Sequence, residues 1–385
     1  MRNILKKYGY FLLALTLLVS ACRDPFEPPE VAAGESLLVV EGFLKAGKGE
    51  TLVRLSYSRP FSGEAPLQPV SGAVVSVEDE EGRIYPLRQG STHISGEYRE
   101  DDLPLQIGRK YRLQIRTAEG KQYLSDFVEV KQTPAIDSIG WELKDGGLQV
   151  YLNTHDLSGD TRYYRWDYEE TWEFHAPYRS FYKYHPEDST VRSRSEDEMI
   201  YTCWSGAFST HINIGSTLRL IEDVVYQQPI VFHPYGAEKM SVLYSILVKQ
   251  YAMTKEAFDY WETMKKNTEE IGSIFDPLPS NLRGNIYNPD DPSEQVIGYI
   301  SAGFVQEKRF FIDNNDLPND WNTFGYCEMK EVPTDSIVFY FKDLAYIPLR
   351  EWAEGMGARG YYATGRSCAD CRLEGVTQKP VFWPR

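Results

Sequence analysis

The residues Tyr163-Tyr164-Arg165-Trp166-Asp167-Tyr168-Glu169-Glu170-Thr171-Trp172-Glu173-Phe174 mix rings and carboxylates in a way that could do chemistry. As one β-strand, its even positions form the row Tyr164, Trp166, Tyr168, Glu170, Trp172 and Phe174, so Glu170 alone interrupts an aromatic face. A carboxylate there is costly to bury without a cation, a donor or water. Lys249 and Gln250 break the otherwise apolar run Tyr244 to Tyr251, and are the expected partners, with Glu170 and Lys249 within ion-pair reach. Two outcomes follow. Trp166, Glu170, Trp172, Lys249 and Gln250 either line a ligand pocket or form an internal ion pair joining two strands. Glycoside hydrolysis would need two acids roughly 5 to 10 Å apart. Alternation puts Glu170 and Glu173 on opposite faces, which argues against that pair.

Other chemistry is sparse. The chain has no G-x-S-x-G, H-E-x-x-H or G-x-x-x-x-G-K-[ST] motif, and its six histidines are scattered singly. The run Asp313-Asn314-Asn315-Asp316-Leu317-Pro318-Asn319-Asp320 offers oxygens, but leucine at the fifth position and no glycine at the sixth make it a solvated turn rather than an EF-hand loop. No metal, cofactor or catalytic residue is expected.

Five cysteines carry the remaining reactivity. Arg2, Lys6 and Lys7 precede an apolar run from Tyr10 to Val19, and Val19-Ser20-Ala21-Cys22 follows. This order resembles a bacterial lipoprotein signal peptide, too short for a membrane span of ~20 residues. Residues 1–21 are then a cleaved leader, and Cys22 carries acyl chains of the palmitate kind. Several such chains, at roughly 0.8 kcal/mol per buried CH₂, hold a protein on a membrane. Cys203, Cys327, Cys368 and Cys371 remain, an even set that reads as two disulfides outside the cytoplasm. Of the three pairings, Cys203 with Cys327 and Cys368 with Cys371 is preferred. A redox dithiol or half a zinc site at Cys368-Ala-Asp-Cys371 is the alternative.

The formal net charge is −15, and −18 once the leader's three basic residues are removed, which disfavours nucleic-acid binding and docking through a basic patch. The 27 tyrosines favour strands, where rings pack on half-buried pleated surfaces. Residues 22–35, with Pro25, Pro28, Pro29 and Gly34, make a tether. In residues 36–131, Val53/Leu55/Tyr57, Ala73/Val75/Val77 and Tyr111/Leu113/Ile115 alternate with polar neighbours, which predicts a small antiparallel sandwich. Thr133-Pro134 is the expected hinge. Residues 132–385 form a larger β-rich unit, with strands near 148–152, 163–174, 243–252 and 296–304. One helix near 255–270 interrupts it, capped by Thr254 and ended before Gly272 and Pro277. The charged stretch 180–200 reads as a long mobile loop.

Val70-Ser71-Gly72-Ala73, Gly96-Glu97-Tyr98 and Gly108-Arg109-Lys110-Tyr111 resemble the transthyretin-like or carboxypeptidase-regulatory sandwich. Along the mature chain, Cys22-Arg23-Asp24-Pro25-Phe26, Leu38-Val39-Val40-Glu41-Gly42, Thr133-Pro134-Ala135-Ile136-Asp137-Ser138, Tyr164-Arg165-Trp166, Cys203-Trp204, Phe275-Asp276-Pro277-Leu278-Pro279, Gly284-Asn285-Ile286 and Cys368-Ala-Asp-Cys371 resemble the Bacteroidota lipoprotein family called domain of unknown function 4249. That resemblance implies an outer-membrane lipoprotein, on either face, that assists a TonB-dependent receptor in nutrient capture. It carries over no catalytic or ligand residues. A noncatalytic accessory or binding protein is therefore the expected function, with a surface adhesin, a structural spacer or an envelope glycan or peptide hydrolase as alternatives.

Overall fold

A computed structural model describes residues 36–58, 68–90, 96–269, 282–319, 321, 325–353 and 359–384. Cys22, the leader, the tether and the Gly272 and Pro277 helix stop lie outside the described residues. The described chain is mainly β, with two α-helices, Lys255–Thr268 and the short Ile337–Phe341. No helix among these residues is long and apolar enough to cross a membrane.

The first unit is one strongly curled sheet. Leu38–Gly42 pairs antiparallel with Glu50–Tyr57, which pairs in turn with Glu97–Asp101. On the far side Val74–Asp79 lies between Ile84–Gln89 and Lys110–Arg116. Alternation works as expected here. Tyr111, Leu113 and Ile115 are buried while their neighbours are at least partly wet, and they share a core with Val53, Leu55, Val75, Val77 and Tyr98.

The stretch 286–304, expected in the second unit, is built into this first sheet instead. Ile286–Tyr287 pairs with Gln122–Ser125, and Val296–Ile297 runs parallel to Leu38–Gly42. Ala302–Gly303 lies between Leu44–Lys45 and Val128–Lys131, parallel to both, and so ties the sheet's early and late strands together. Ile286, Val296, Ile300 and Ala302 are buried in the first core. Two local devices hold this return in place. The buried Asn285 amide brackets one residue, accepting from the Ile300 amide and donating to its carbonyl, both at 2.8 Å. Gly298 sits at φ +144, where a Cβ would stand 2.2 Å from the Val40 carbonyl oxygen.

The second unit packs two sheets face to face. Ile136–Lys144, Gly147–His155 and Val224–Pro234 form one. In the other the long strand Tyr163–His175 lies between Thr202–Phe208 and Leu243–Ala252, with Val305–Asp313 outermost and Asn213–Ser216 paired antiparallel with the strand's first residues, Tyr163 to Trp166. Leu148, Val150, Leu152, Trp166, Tyr244, Ile246, Val248 and Trp321 fill the space between them. The helix Lys255–Thr268 forms where its spacing predicts. The Thr254 hydroxyl accepts from the Ala257 amide, and the opposite face of the long strand receives the helix, with the Arg165 guanidinium 4.3 Å from the Trp261 ring centre.

Thr133-Pro134 lies at the junction of the two units and is held there by hydrogen bonds from both sides. Thr133 is buried, its hydroxyl donates to the Phe304 carbonyl and accepts from the Ala252 amide, and the Gln250 amide donates to the Pro134 carbonyl at 2.8 Å.

Residues 180–200 also depart from the expected loop. Tyr182–His185 and Thr190–Ser193 form a hairpin, followed by a 3-10 turn at Glu196–Glu198. Tyr184 explains why: it is buried against Phe341 of the short helix Ile337–Phe341 and against Val332 and Ala363 of a third layer, the sheet of Met329–Pro333, Arg359–Gly365 and Tyr346–Ala353. A four-residue strand among charges gives too short an alternation to stand out.

Removing the Asn285 bracket by Asn285→Ala should cost about 1–3 kcal/mol, because it leaves a buried amide and carbonyl unpaired. Gly298→Ala should cost at least as much, since strain at that φ and a clash with backbone add. Urea unfolding of the purified protein measures both, and a loss below about 0.5 kcal/mol for either would contradict the assigned geometry.

Candidate functional site

The structure splits the residues singled out in the aromatic strand into two groups. Gln250 and Trp166 belong together. They face each other in register, both fully buried, and the indole N–H donates to the Gln250 side-chain oxygen at 2.8 Å. The Gln250 amide also donates to the Thr154 hydroxyl at 3.0 Å. This amide therefore links both sheets and the junction at Pro134.

Glu170 and Lys249 do not meet, which corrects the expected ion pair. Lys249 stands opposite Asp167 on the other face of the strand pair and bonds Glu169. The physical reason is parity: in an antiparallel pair, residues directly opposite share a face, and 170 lies opposite 246 rather than 249.

Glu170 is met instead by three groups the aromatic-strand pattern did not point to. The residue is only 4% exposed. One oxygen accepts from the Tyr244 hydroxyl at 2.8 Å, with His233 Nε2 at 3.2 Å, and the other takes the Lys239 ammonium at 2.6 Å. Lys239 comes from the 3-10 turn Glu238–Met240, and its Nζ lies 4.8 Å from the Trp172 ring centre. Burial by itself would raise the Glu170 pKa, but the hydrogen bonds from His233 and Lys239 outweigh it and hold the carboxyl below its ordinary value of 4.5. Burial, then the Glu170 charge, pushes the Tyr244 phenol well above its usual range. So both oxygens of Glu170 are occupied from within the chain, as an internal ion pair requires.

Glu173, one strand face away, accepts from the Trp383 indole N–H at 2.8 Å. The two acids are divided by the sheet and cannot bracket one glycosidic bond. Asp313 also has a structural task, capping a 3-10 turn by accepting from the Asn315 amide at 2.8 Å.

The disulfides are Cys203–Cys371 and Cys327–Cys368, with Cα separations of 5.7 and 6.0 Å. The preferred pairing is thus overturned, and neither sulfur of Cys368-Ala-Asp-Cys371 is left for redox exchange or zinc. Register decides this. Antiparallel pairing of Met329 with Thr364 carries Cys327 toward the turn that holds Cys368. The Cys371 amide donates to the Ile200 carbonyl, and Trp204 bridges to Val376, which brings Cys371 beside Cys203. Between the two cysteines, buried Asp370 accepts from Arg372 at 2.7 and 3.0 Å and from Arg366 at 3.1 Å.

Open space lies elsewhere. The larger cavity, about 550 Å³, sits at the junction of the two units, walled by Glu129, Lys131, Thr133, Pro134, Asp156 and Asp160 among others. Burial raises and hydrogen bonds from Ser158 and Thr161 lower the Asp156 pKa, with a net shift downward, so this wall is anionic at neutral pH. A second cavity of about 270 Å³ lies beneath the hairpin at Tyr182–His185.

These features define a mainly β, cystine-braced protein with a polar cleft between its units. A family model described as a domain of unknown function, DUF4249, matches residues 23–309, and the chain belongs to that family. Cys203 lies within the matched span, while Cys327, Cys368 and Cys371 lie beyond it. No curated protein matches the chain.

The Glu170 network sets a pH dependence. Its folded-state pKa is depressed, so the stabilisation is present above the unfolded value near 4.5 and is lost as pH falls through the folded value. Lys239→Met should cost about 3 kcal/mol at pH 7 by leaving a buried carboxylate short of its cation. It should also move acid unfolding to higher pH, and an unchanged acid midpoint in circular dichroism would contradict the network. Joint replacement of Cys203 and Cys371 by serine should cost about 2–5 kcal/mol. Non-reducing peptide mapping should recover residue 203 linked to 371; a 203–327 link would overturn the pairing.

Proposed function

We propose that this chain is a noncatalytic cell-envelope lipoprotein, held in the outer membrane by lipid on Cys22, that assists a TonB-dependent receptor in nutrient uptake. The single observation that carries the binding part of this reading is the cleft of about 550 Å³ at the junction. Its volume falls within the range of small-molecule sites, ~300–1,000 Å³, and its walls mix backbone, carboxylates and one lysine. Gln250, Thr133 and Ala252 fasten those walls from behind, so the cleft is preorganised. Family membership and the lipoprotein-like leader support an outer-membrane location. The antiparallel strands of residues 36–131 support the transthyretin-like type of sandwich for the first unit.

A tagged full-length protein, cross-linked in intact cells and purified in mild detergent, should bring down an outer-membrane β-barrel. Repeated recovery of the protein alone would sink the accessory role and favour an adhesin or spacer. Cys22→Ala should release the protein from the outer-membrane fraction; retention there would refute the lipid anchor.

A further inference from the structure

The smaller cavity, about 270 Å³, lies between the hairpin of residues 182–193, the Glu196–Glu198 turn and the cystine-held segment 366–372. It runs against the character of the molecule. In a chain with net charge −15, its wall holds Lys183, Arg194, Arg366 and Arg372 against Asp197, Glu198 and Asp370, a surplus of one positive charge.

Most of these charges are already matched. Arg366 and Arg372 share Asp370, and Lys183 bonds Glu198. Arg194 is different. Its Nε donates to the Ser180 hydroxyl and its Nη1 to the Glu198 carbonyl, both at 3.1 Å, and no carboxylate among the described residues lies within ion-pair distance of it. Burial, then the neighbouring Arg372, works against its charge and lowers its pKa, and the more distant Glu198 and Asp370 carboxylates offset this only in part. Asp197 stands on the exposed rim. A half-buried guanidinium whose bonds all go to neutral oxygens has no directly bonded counter-charge.

We propose that this cavity binds a small organic monoanion through its carboxylate, with the Arg194 guanidinium as the charge partner. Charge count selects the carboxylate over a phosphate monoester, which brings about −1.5 to −2 at neutral pH and would leave the site overcompensated. Size limits the ligand to roughly a monosaccharide acid, since the space is at the small end of ligand pockets, ~300 Å³ and upward. Tyr346, half-buried on the same wall, adds an aromatic surface there, its ring also meeting the Lys330 ammonium and Tyr340. The two disulfides hold the Arg366–Arg372 side of the wall in place. The site is separate from the junction cleft, so its failure leaves the accessory role standing.

Calorimetric titration of the full-length protein in detergent with glucuronate tests this, with acetate, glucose and inorganic phosphate as comparison probes. One glucuronate should bind per chain, acetate should compete, and glucose should not. Arg194→Gln should weaken glucuronate at least about tenfold, while Asp197→Asn should strengthen it by removing a repelling rim charge. Equal affinity in the Arg194→Gln protein, no binding of either carboxylate, or a preference for phosphate would each overturn the proposal. If Arg194→Gln fails to fold, the Asp197→Asn arm decides, and affinity that is unchanged or weaker there overturns it.

Discussion

An ionised carboxylate inside an aromatic core survives only if each oxygen meets a donor, and the second unit is arranged around meeting that condition at Glu170. The groups involved come from four places in the chain: the long strand, the end of Val224–Pro234, the turn at Glu238–Met240 and the strand Leu243–Ala252. A one-residue slip of the long strand would turn Glu170 to the other face and bury Glu169 or Thr171 in its place, away from Lys239 and Tyr244. The interaction thus works chiefly as a register lock, since buried ion pairs add little net stability over apolar residues of similar volume.

A second buried polar group extends the same logic to the junction. Gln250 joins Trp166, Thr154 and the Pro134 carbonyl, so the strand that helps hold Glu170 also anchors the start of the second unit. From the other side, the return of residues 286–304 threads the first sheet between its own early and late strands. The chain therefore crosses between units more than once, and the cleft between them is walled by backbone fixed at both ends.

Much of this was legible in the sequence where a pattern is long and local. Thirteen residues of strand at Tyr163–His175 give enough alternation to assign faces, and Thr254 followed by Ala257 marks a helix start through contacts three residues apart. What escaped depends on register between distant segments. Lys239 has no periodicity of its own, and only folding brings it to Glu170. The two-residue strands at 296–297 and 302–303 are too short for any period to report their partners. Cysteine pairing follows from the Met329–Thr364 alignment, which adjacency in sequence cannot reveal. Arg194 was hidden within a charged stretch, where its lack of a counter-ion shows only once its neighbours are in place.

Glu170 is an ionised, internally paired group and not a free acid awaiting a ligand. Carbon-13 NMR titration of the glutamate carboxyl carbons, with the Glu170→Gln protein identifying the signal, tests it most directly. The Glu170 resonance should stay at its ionised position as pH falls through the ordinary value of 4.5. Protonation at or above that pH in the folded protein would contradict the account.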